Sequence, residues 1–430
     1  MIDDLKPYPT YADSGVKWLG PIPAGWGIQR GKQMFRKVAR PVRPADEVIT
    51  CFRDGQVTLR RLRRLDGFTE AIQESGYQGI RRGDLVIHQM DAFAGAVGVS
   101  DSDGKASPVY AVCVPRSSGS DPQYFNRVIR QMALSGWITA LAKGIRERST
   151  DFRYEMFGQQ LLPVPPSEDQ AAIVRYLDHI DSRIQRLIAA KERLIELLEE
   201  EKQAIIRRAV TRGFDQDVPL KPSGVEWMGD VPQRWEIRRL KHVLRLQRGH
   251  DLPADLRRQG DVPVISSGGT IGRHDETRAT GPGVVIGRYG STDAVFYLRE
   301  DFWPHNTALY VTHYFGNEPR WVFRLMQALP KADLSAKSAV PGVDRKDLHE
   351  VKVALPPIEE QVLLCERVDE ELDGVATTAA VIRRQVGLLR EYRTRLISDA
   401  VTGKVDVREA AGHLEAGARS VEAEIEGALA

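Results

Sequence analysis

Three short clusters of arginine and lysine, and one arginine beside a tyrosine, are the residues of this chain best suited to chemistry, and that chemistry is binding. Arg60, Arg61, Arg63 and Arg64 follow Thr58, and Lys143, Arg146, Arg148 and Arg153 gather farther on. Arg288, Tyr289 and Ser291 follow an apolar run, and Lys331, Lys337, Arg345 and Lys346 come later. Such side chains neutralise phosphates, and arginine also reads base edges in the major groove. Taken alone, each cluster fits a solvated surface equally well. Lys337 in a loop of small residues and Arg288 beside others are the preferred contacts, because small residues let backbone approach phosphate closely.

Bond-breaking machinery is not legible. No Gly-x-x-x-x-Gly-Lys-Ser/Thr loop and no Asn/Asp-Pro-Pro-Tyr/Phe motif occurs. The glycine cluster Gly268–Gly272 has no long helix behind it and reads as a tight loop. Asp347, Glu350 and Lys352 have a nuclease-like look, but their acids are only three residues apart, and the segment leads into a strand. The nine histidines show no metal-ligand spacing, and His305-Asn306 stands alone. Cys51, Cys113 and Cys365 make no Cys-x-x-Cys pair, so a reducing cytoplasm is expected and a structural metal is not. No catalytic residue, metal or bound cofactor is expected on this chain.

The elements that must position the basic clusters come in duplicate. Ser14-Gly-Val-Lys-Trp-Leu-Gly-Pro-Ile-Pro-Ala-Gly-Trp reappears 209 positions on as Ser223-Gly-Val-Glu-Trp-Met-Gly-Asp-Val-Pro-Gln-Arg-Trp. Pro165-Pro-Ser-Glu-Asp-Gln reappears 191 positions on as Pro356-Pro-Ile-Glu-Glu-Gln, so the second middle is 18 residues shorter. Two variable middles on one repeated frame imply two separate recognition events. Trp18, Trp26, Trp227 and Trp235 recur in the shared frame, which favours packing over base stacking.

Behind each Pro-Pro motif the apolar period is helical. Ile173, Leu177, Ile180, Ile184, Leu187, Leu194, Leu198 and Ile205 step by three and four over residues 167–212, a coiled-coil seam with Lys191 and Glu201 as polar interruptions. Ser167 reads as the cap, Glu168 and Asp169 as first-turn acids, and Gly213 as the stop. At ~1.5 Å per residue such a rod is roughly 65–70 Å long. The second seam is Leu364, Val368, Val375, Ile382, Leu389 and Leu396, made polar by Glu371, Thr378 and Gln385 and weakened by Gly374 and Gly387. Asp178 and Asp369 read as rod surface. The middles carry short apolar runs punctuated by glycine, such as Leu85–Ile87, Val109–Val114, Gly283–Gly287 and Ala308–Val311, with helical stretches near Asp121–Ala142 and Pro319–Ala328.

The expected fold is therefore α+β: two mixed α/β globules separated by two long antiparallel coiled-coil helices, with pseudo-twofold symmetry. The divisions are a first globule over 1–166, a helix over 167–213, a second globule over 214–355, a second helix over 356–403 and a tail over 404–430 that is either a frayed helix or without structure. Composition agrees with an ordered protein, at 42% hydrophobic and 28% charged, and the net charge of +2 neither announces nor excludes nucleic acid. No apolar run of about 18 residues is present, so no membrane span is expected, and the opening Met-Ile-Asp-Asp-Leu-Lys reads as no secretory leader. By periodicity alone a DNA reader and an adaptor for protein or sugar rank level.

The repeated residues resemble the specificity subunit of type I restriction-modification systems over nearly the whole chain. Leu5-Lys-Pro-Tyr-Pro with the Ser14 motif is similar to that family's N-terminus, and the two Pro-Pro motifs are similar to its conserved regions. Gly79-Ile-Arg-Arg-Gly-Asp-Leu-Val-Ile looks like one kind of target recognition domain. Gly287-Arg-Tyr-Gly-Ser, Phe302-Trp-Pro, Asn306-Thr-Ala and Pro341-Gly-Val look like another. The resemblance implies that each globule reads one half of a bipartite target in double-stranded DNA. It implies that the helices space the globules and dock two modification (methyltransferase) subunits. Those partners would bring S-adenosylmethionine and methylate adenine, and restriction (motor-nuclease) subunits, with ATP and Mg, can join them. The rival readings are a non-DNA coiled-coil adaptor and a single-chain DNA nuclease or methyltransferase.

Overall fold

The computed structural model describes residues 5–63, 76–141, 151–289, 293–331 and 342–414. The chain forms two compact units: unit 1 is Met1–Ala189 with Val386–Ala430, and unit 2 is Ala190–Gln385. Both long helices contribute residues to each unit instead of forming a unit of their own.

Unit 1 is built on a four-stranded antiparallel sheet in the order Phe35–Val38, Tyr110–Pro115, Leu85–His88, Val97–Val99. Successive side chains of a strand point to opposite faces. Leu85, Ile87, Ala111 and Cys113 accordingly enter the main core, whereas Val86, Tyr110 and Val112 enter a smaller one with Ile49 and Val57. Burial on both faces explains why these strands read as unbroken apolar runs. The main-core face is covered by the helix Pro122–Leu134, which buries Tyr124, Phe125, Val128, Ile129 and Met132. Asp121 caps that helix by accepting from Gln123 N, with Pro122 in the first turn.

Unit 2 repeats the plan with different residues. Its sheet runs Arg245–Arg248, Ala308–His313, Gly283–Gly287, Val295–Leu298, all antiparallel. In both units the strands taken in chain order lie one, four, two, three across the sheet, and a Pro-initiated helix follows the fourth. Here that helix is Pro319–Ala328, burying Trp321, Val322, Leu325 and Met326. The two middles therefore share a topology that their sequences do not show. Unit 2 adds a small sheet of Val262–Ser266, Gly269–His274 and Trp303–Pro304. The glycine cluster is thus largely strand, with the turn at its start, and not a free-standing loop.

A two-stranded ribbon leads into each long helix: Gly27–Arg30 with Leu161–Val164, and Glu236–Arg239 with Lys352–Leu355. The helices span Ser167–Thr211 and Ile358–Val401. Ser167 is the first helical residue, not the cap, because Gln170 N donates to Pro166 O; Gln361 N likewise donates to Pro357 O. A side chain also secures each start. Gln170 Nε2 donates to Pro165 O and Gly119 O, and its Oε1 accepts from Asp121 N, at 2.9–3.0 Å. Gln361 does the same with Pro356 O, Asn317 Oδ1 and Glu318 N. The repeated Pro-Pro-x-x-x-Gln motif is thus a clamp between long helix and globule. At the other end Gly213 and Gly403 adopt φ of +72° and +76°, left-handed values that favour glycine. Trp235 and Trp26 pack against these two glycines, as expected of frame tryptophans.

Within each unit the two helices run in opposite directions. In unit 1 Asp169 pairs with Arg408 and Asp181 with Arg393. In unit 2 Lys191 Nζ donates to Gln385 Oε1 at 2.6 Å, and Arg208 pairs with Glu371 at 3.1 Å. The seam departs from the expected heptads at one point. Ile180, Ile184 and Ile188 are all buried, two successive steps of four. That stutter shifts the phase, and Lys191, Ile195, Leu198, Lys202 and Ile205 continue the seam half-buried. Leu187 and Leu194 are left outside it, 46% and 44% exposed. In the second helix Ala379 and Val386, not Thr378 and Gln385, fill the intervening positions. Gly374 and Gly387 sit in unbroken helix.

Asp178 and Asp369 are more than rod surface. Arg127 reaches Asp178, and Arg320 and Arg324 both reach Asp369, joining helix to globule in each unit. The described part of the tail is folded: Val407, Ala410 and Ala411 join the unit 1 core, and Asp406 N donates to Lys6 O. No helix among the described residues is long and apolar enough to cross a membrane.

Candidate nucleic-acid interface

Arg60 and Arg63 from the first cluster, and Arg288 with Arg345 and Lys346 from the later ones, line two cavities, one in each unit. In unit 2 the strand Arg245–Arg248 buries Leu246 and leaves Gln247 and Arg248 exposed. Gly249 follows because a Cβ there would lie 2.2 Å from His305 O, so only glycine lets the loop carrying Asn306 approach. Arg248 Nε donates to Asn306 O, and Asn306 Nδ2 donates to Asp251 Oδ1. Arg288 leaves the strand Gly283–Gly287 with its backbone tied on both sides, N to Thr307 O and O from Val343 N. Its guanidinium lies 4.5 Å from the centre of the exposed Tyr289 ring, a cation–π contact. Arg345 and Lys346 open a short helix capped by Asp344, which accepts from Lys346 N at 2.7 Å. Arg248, Arg288, Asn306, Arg345 and Lys346 together line a groove of about 740 Å³. None of its four cations has a carboxylate partner among the described residues.

In unit 1 Arg60 and Arg63 line a cavity of about 570 Å³ with Arg53, His88 and Tyr110. The hairpin Ile49–Cys51 with Val57–Leu59 carries them. Arg60 Nε donates to Thr50 Oγ1, and Arg63 lies 4.4 Å over the Phe52 ring. Here the cations are matched: Arg63 pairs with Asp54 at 2.8 Å and Arg53 with Asp91 at 2.9 Å. Burial pushes the Tyr110 hydroxyl up to about 12 and lowers His88, so both are neutral near pH 7. Arg61 stands apart from this cavity and pairs with Glu47.

The structure thus brings together Arg60 with Arg63, and Arg288 and Tyr289 with Arg345. Arg64, Lys143, Arg146, Arg148, Ser291 and Lys337 lie outside the described residues. Lys331 is not a surface cation: it is 2% exposed, and its Nζ donates to Met326 O. Arg53 and Arg248 were missed because each stands at a strand end or turn outside the clusters singled out, and Asn306, though seen in a motif, was given no contact role. For Arg53 and Arg248 the usable signal is the glycine that follows closely, Gly55 and Gly249.

The nuclease-like group is structural. Glu350 pairs with Lys241 and Arg239, and His349 Nε2 accepts from Leu246 N. Among the described residues one group, His274, Asp275 and Glu276, has metal-ligand geometry. Its carboxylates are taken by Arg258, at 2.8 and 2.5 Å.

Known proteins share both the sequence and the architecture. The family described as type I restriction modification DNA specificity domain matches residues 232–377. A putative type I restriction enzyme MjaX specificity subunit of Methanocaldococcus jannaschii is 19% identical, the match covering 91% of this chain and 96% of that protein. The MjaVIII specificity subunit of the same organism is 30% identical over 95 residues, 22% of this chain and 21% of that protein. A chain from a structure of type I R-M complex assembly and conformational transition superposes with a TM-score of 0.68 at 15% identity, covering 88% of this chain and 98% of its own length. The HsdS subunit from Thermoanaerobacter tengcongensis superposes with a TM-score of 0.53 at 16% identity, covering 91% and 99%. The domain match over residues 232–377, the similarity along nearly the whole chain and the shared fold point the same way: this chain is similar to the specificity subunits of type I restriction-modification systems.

Proposed function

We propose that each unit of this subunit reads one half of a bipartite target in double-stranded DNA. The groove of Arg248, Arg288, Asn306 and Arg345 meets one half-site, and the cavity of Arg53, Arg60 and Arg63 meets the other. Cations hold phosphates and set register, while arginine and the Asn306 amide offer hydrogen bonds to base edges. The observation that carries this reading is the same sheet topology in both units, each with a cavity beside the end of its second strand and the start of its fourth, at His88 and Tyr110 or at Arg288 and Asn306, and basic residues around it.

The long helices serve as spacer and docking surface. A 45-residue helix is about 67 Å long. Leu187, Leu194, Leu197, Val381 and Leu388 are exposed on the two helices, which suits packing against two modification subunits. Those partners carry S-adenosylmethionine and methylate adenine; restriction subunits bring ATP and Mg. The reaction belongs to them, and this chain supplies the address. The test is duplex binding by the assembled complex at increasing salt. Sequence-selective binding that weakens steeply with salt supports the reading. Binding without sequence preference, or methylation by this chain alone, contradicts it.

A further inference from the structure

The two cavities differ in how their charge is held. In unit 2 the groove cations Arg248, Arg288, Arg345 and Lys346 pair with no carboxylate among the described residues, although Asp251 and Asp344 are near. Those acids are engaged otherwise, Asp251 by the Asn306 amide and Asp344 by Lys346 N. In unit 1 two of the three cavity arginines already hold an acid of their own chain, Arg53 with Asp91 and Arg63 with Asp54. The loop that presents Arg53 and Asp54 is fixed. Arg130 donates to Arg53 O at 3.3 Å and to Gly95 O at 2.6 Å. A Cβ at Gly55 would lie 2.0 Å from the same guanidinium.

We propose that Asp54 and Asp91 are specificity-determining residues of the unit 1 reader, withholding Arg63 and Arg53 from phosphate until a fitting half-site is seated. Unit 2 then supplies most of the sequence-independent hold on DNA. A guanidinium that already faces a carboxylate releases few counterions on meeting a phosphate, and the acid repels that phosphate. Only a sequence that adds base contacts offsets the exchange, so wrong sequences are rejected by charge. This inference rests on the DNA-reading function proposed above.

The test uses the complex of this chain with its modification subunits and a random-sequence duplex, titrated at several salt concentrations. Asp54→Asn with Asp91→Asn is expected to raise affinity several-fold and to steepen the log-affinity against log-salt slope by about 0.9 for each phosphate gained. Arg63→Gln with Asp54→Asn removes a matched pair and leaves the slope unchanged. Arg288→Gln with Arg345→Gln lowers it by about 0.9 per lost contact. The inference is overturned if the double Asp variant binds no better than the parent while melting at a similar temperature. It is also overturned if the matched-pair variant loses as much slope as the unit 2 variant. A parent complex with no salt-sensitive duplex binding overturns both this inference and the DNA-reading function.

Discussion

Gln170 and Gln361 each spend a buried amide on three hydrogen bonds that tie a long helix to its globule. Removing one leaves buried backbone groups unpaired, at about 1–3 kcal/mol. Gln170→Ala and Gln361→Ala are therefore each expected to lower stability by about 2 kcal/mol, read as the shift in a denaturant midpoint. The repeat made both residues visible in the sequence. Their job was not, because the partners Gly119, Asp121, Asn317 and Glu318 lie 43–51 positions away. Lys331 was misjudged for a related reason: a lysine reads as surface unless its burial is known. Burial lowers its ammonium from 10.5 to about 8. Between those two values the unfolded chain binds the proton more tightly than the folded one, so stability gained from this group rises with pH from about 8 to 10.5. Lys331→Met is expected to remove that rise, seen as a flatter difference in stability against pH than the parent shows. An unchanged slope counts against a buried, desolvated ammonium.

The helices were the most legible elements, since 45 residues of apolar period outweigh any local ambiguity. Their phase was less legible. Leu187 and Leu194 continue a heptad that starts at Ile173, and nothing in the residues themselves announces the stutter after Ile184. The leucine next to a seam isoleucine looks the same to a period search. Substitution separates them. Ile188→Ala is expected to cost about 2–4 kcal/mol through lost burial and a cavity, whereas Leu187→Gln stays within about 0.5 kcal/mol in the chain alone. The reverse order returns the seam to strict heptads. Gly374 and Gly387 have no atom within 4 Å of an added Cβ, and both are helical. Gly374→Ala and Gly387→Ala should therefore each stabilise the chain by about 0.8–1 kcal/mol, checked by thermal melting. Exposed strands and loops were harder. The Gly268–Gly272 segment became a strand because its partner Val262–Ser266 supplies the ladder, a long-range fact that glycine content conceals.

At the scale of the whole molecule, duplication is the feature that organises the rest. The frame repeats in sequence; the middles repeat only in topology, with the same strand order in both units. Sheet order depends on where apolar faces meet, so unlike residues build the same plan when the pattern of burial agrees. The residues around the two cavities differ freely on that plan, which is what the proposed reading of two independent half-sites requires. Genome-wide mapping of adenine methylation, in cells expressing this chain with its modification subunit, tests the account most directly. The parent chain is predicted to direct methylation to one bipartite motif, and Arg288→Ala with Arg345→Ala to relax a single half of it, at about 1–3 kcal/mol of lost discrimination per base contact. A single uninterrupted motif, or a variant that relaxes both halves equally, contradicts the division of reading between the two units.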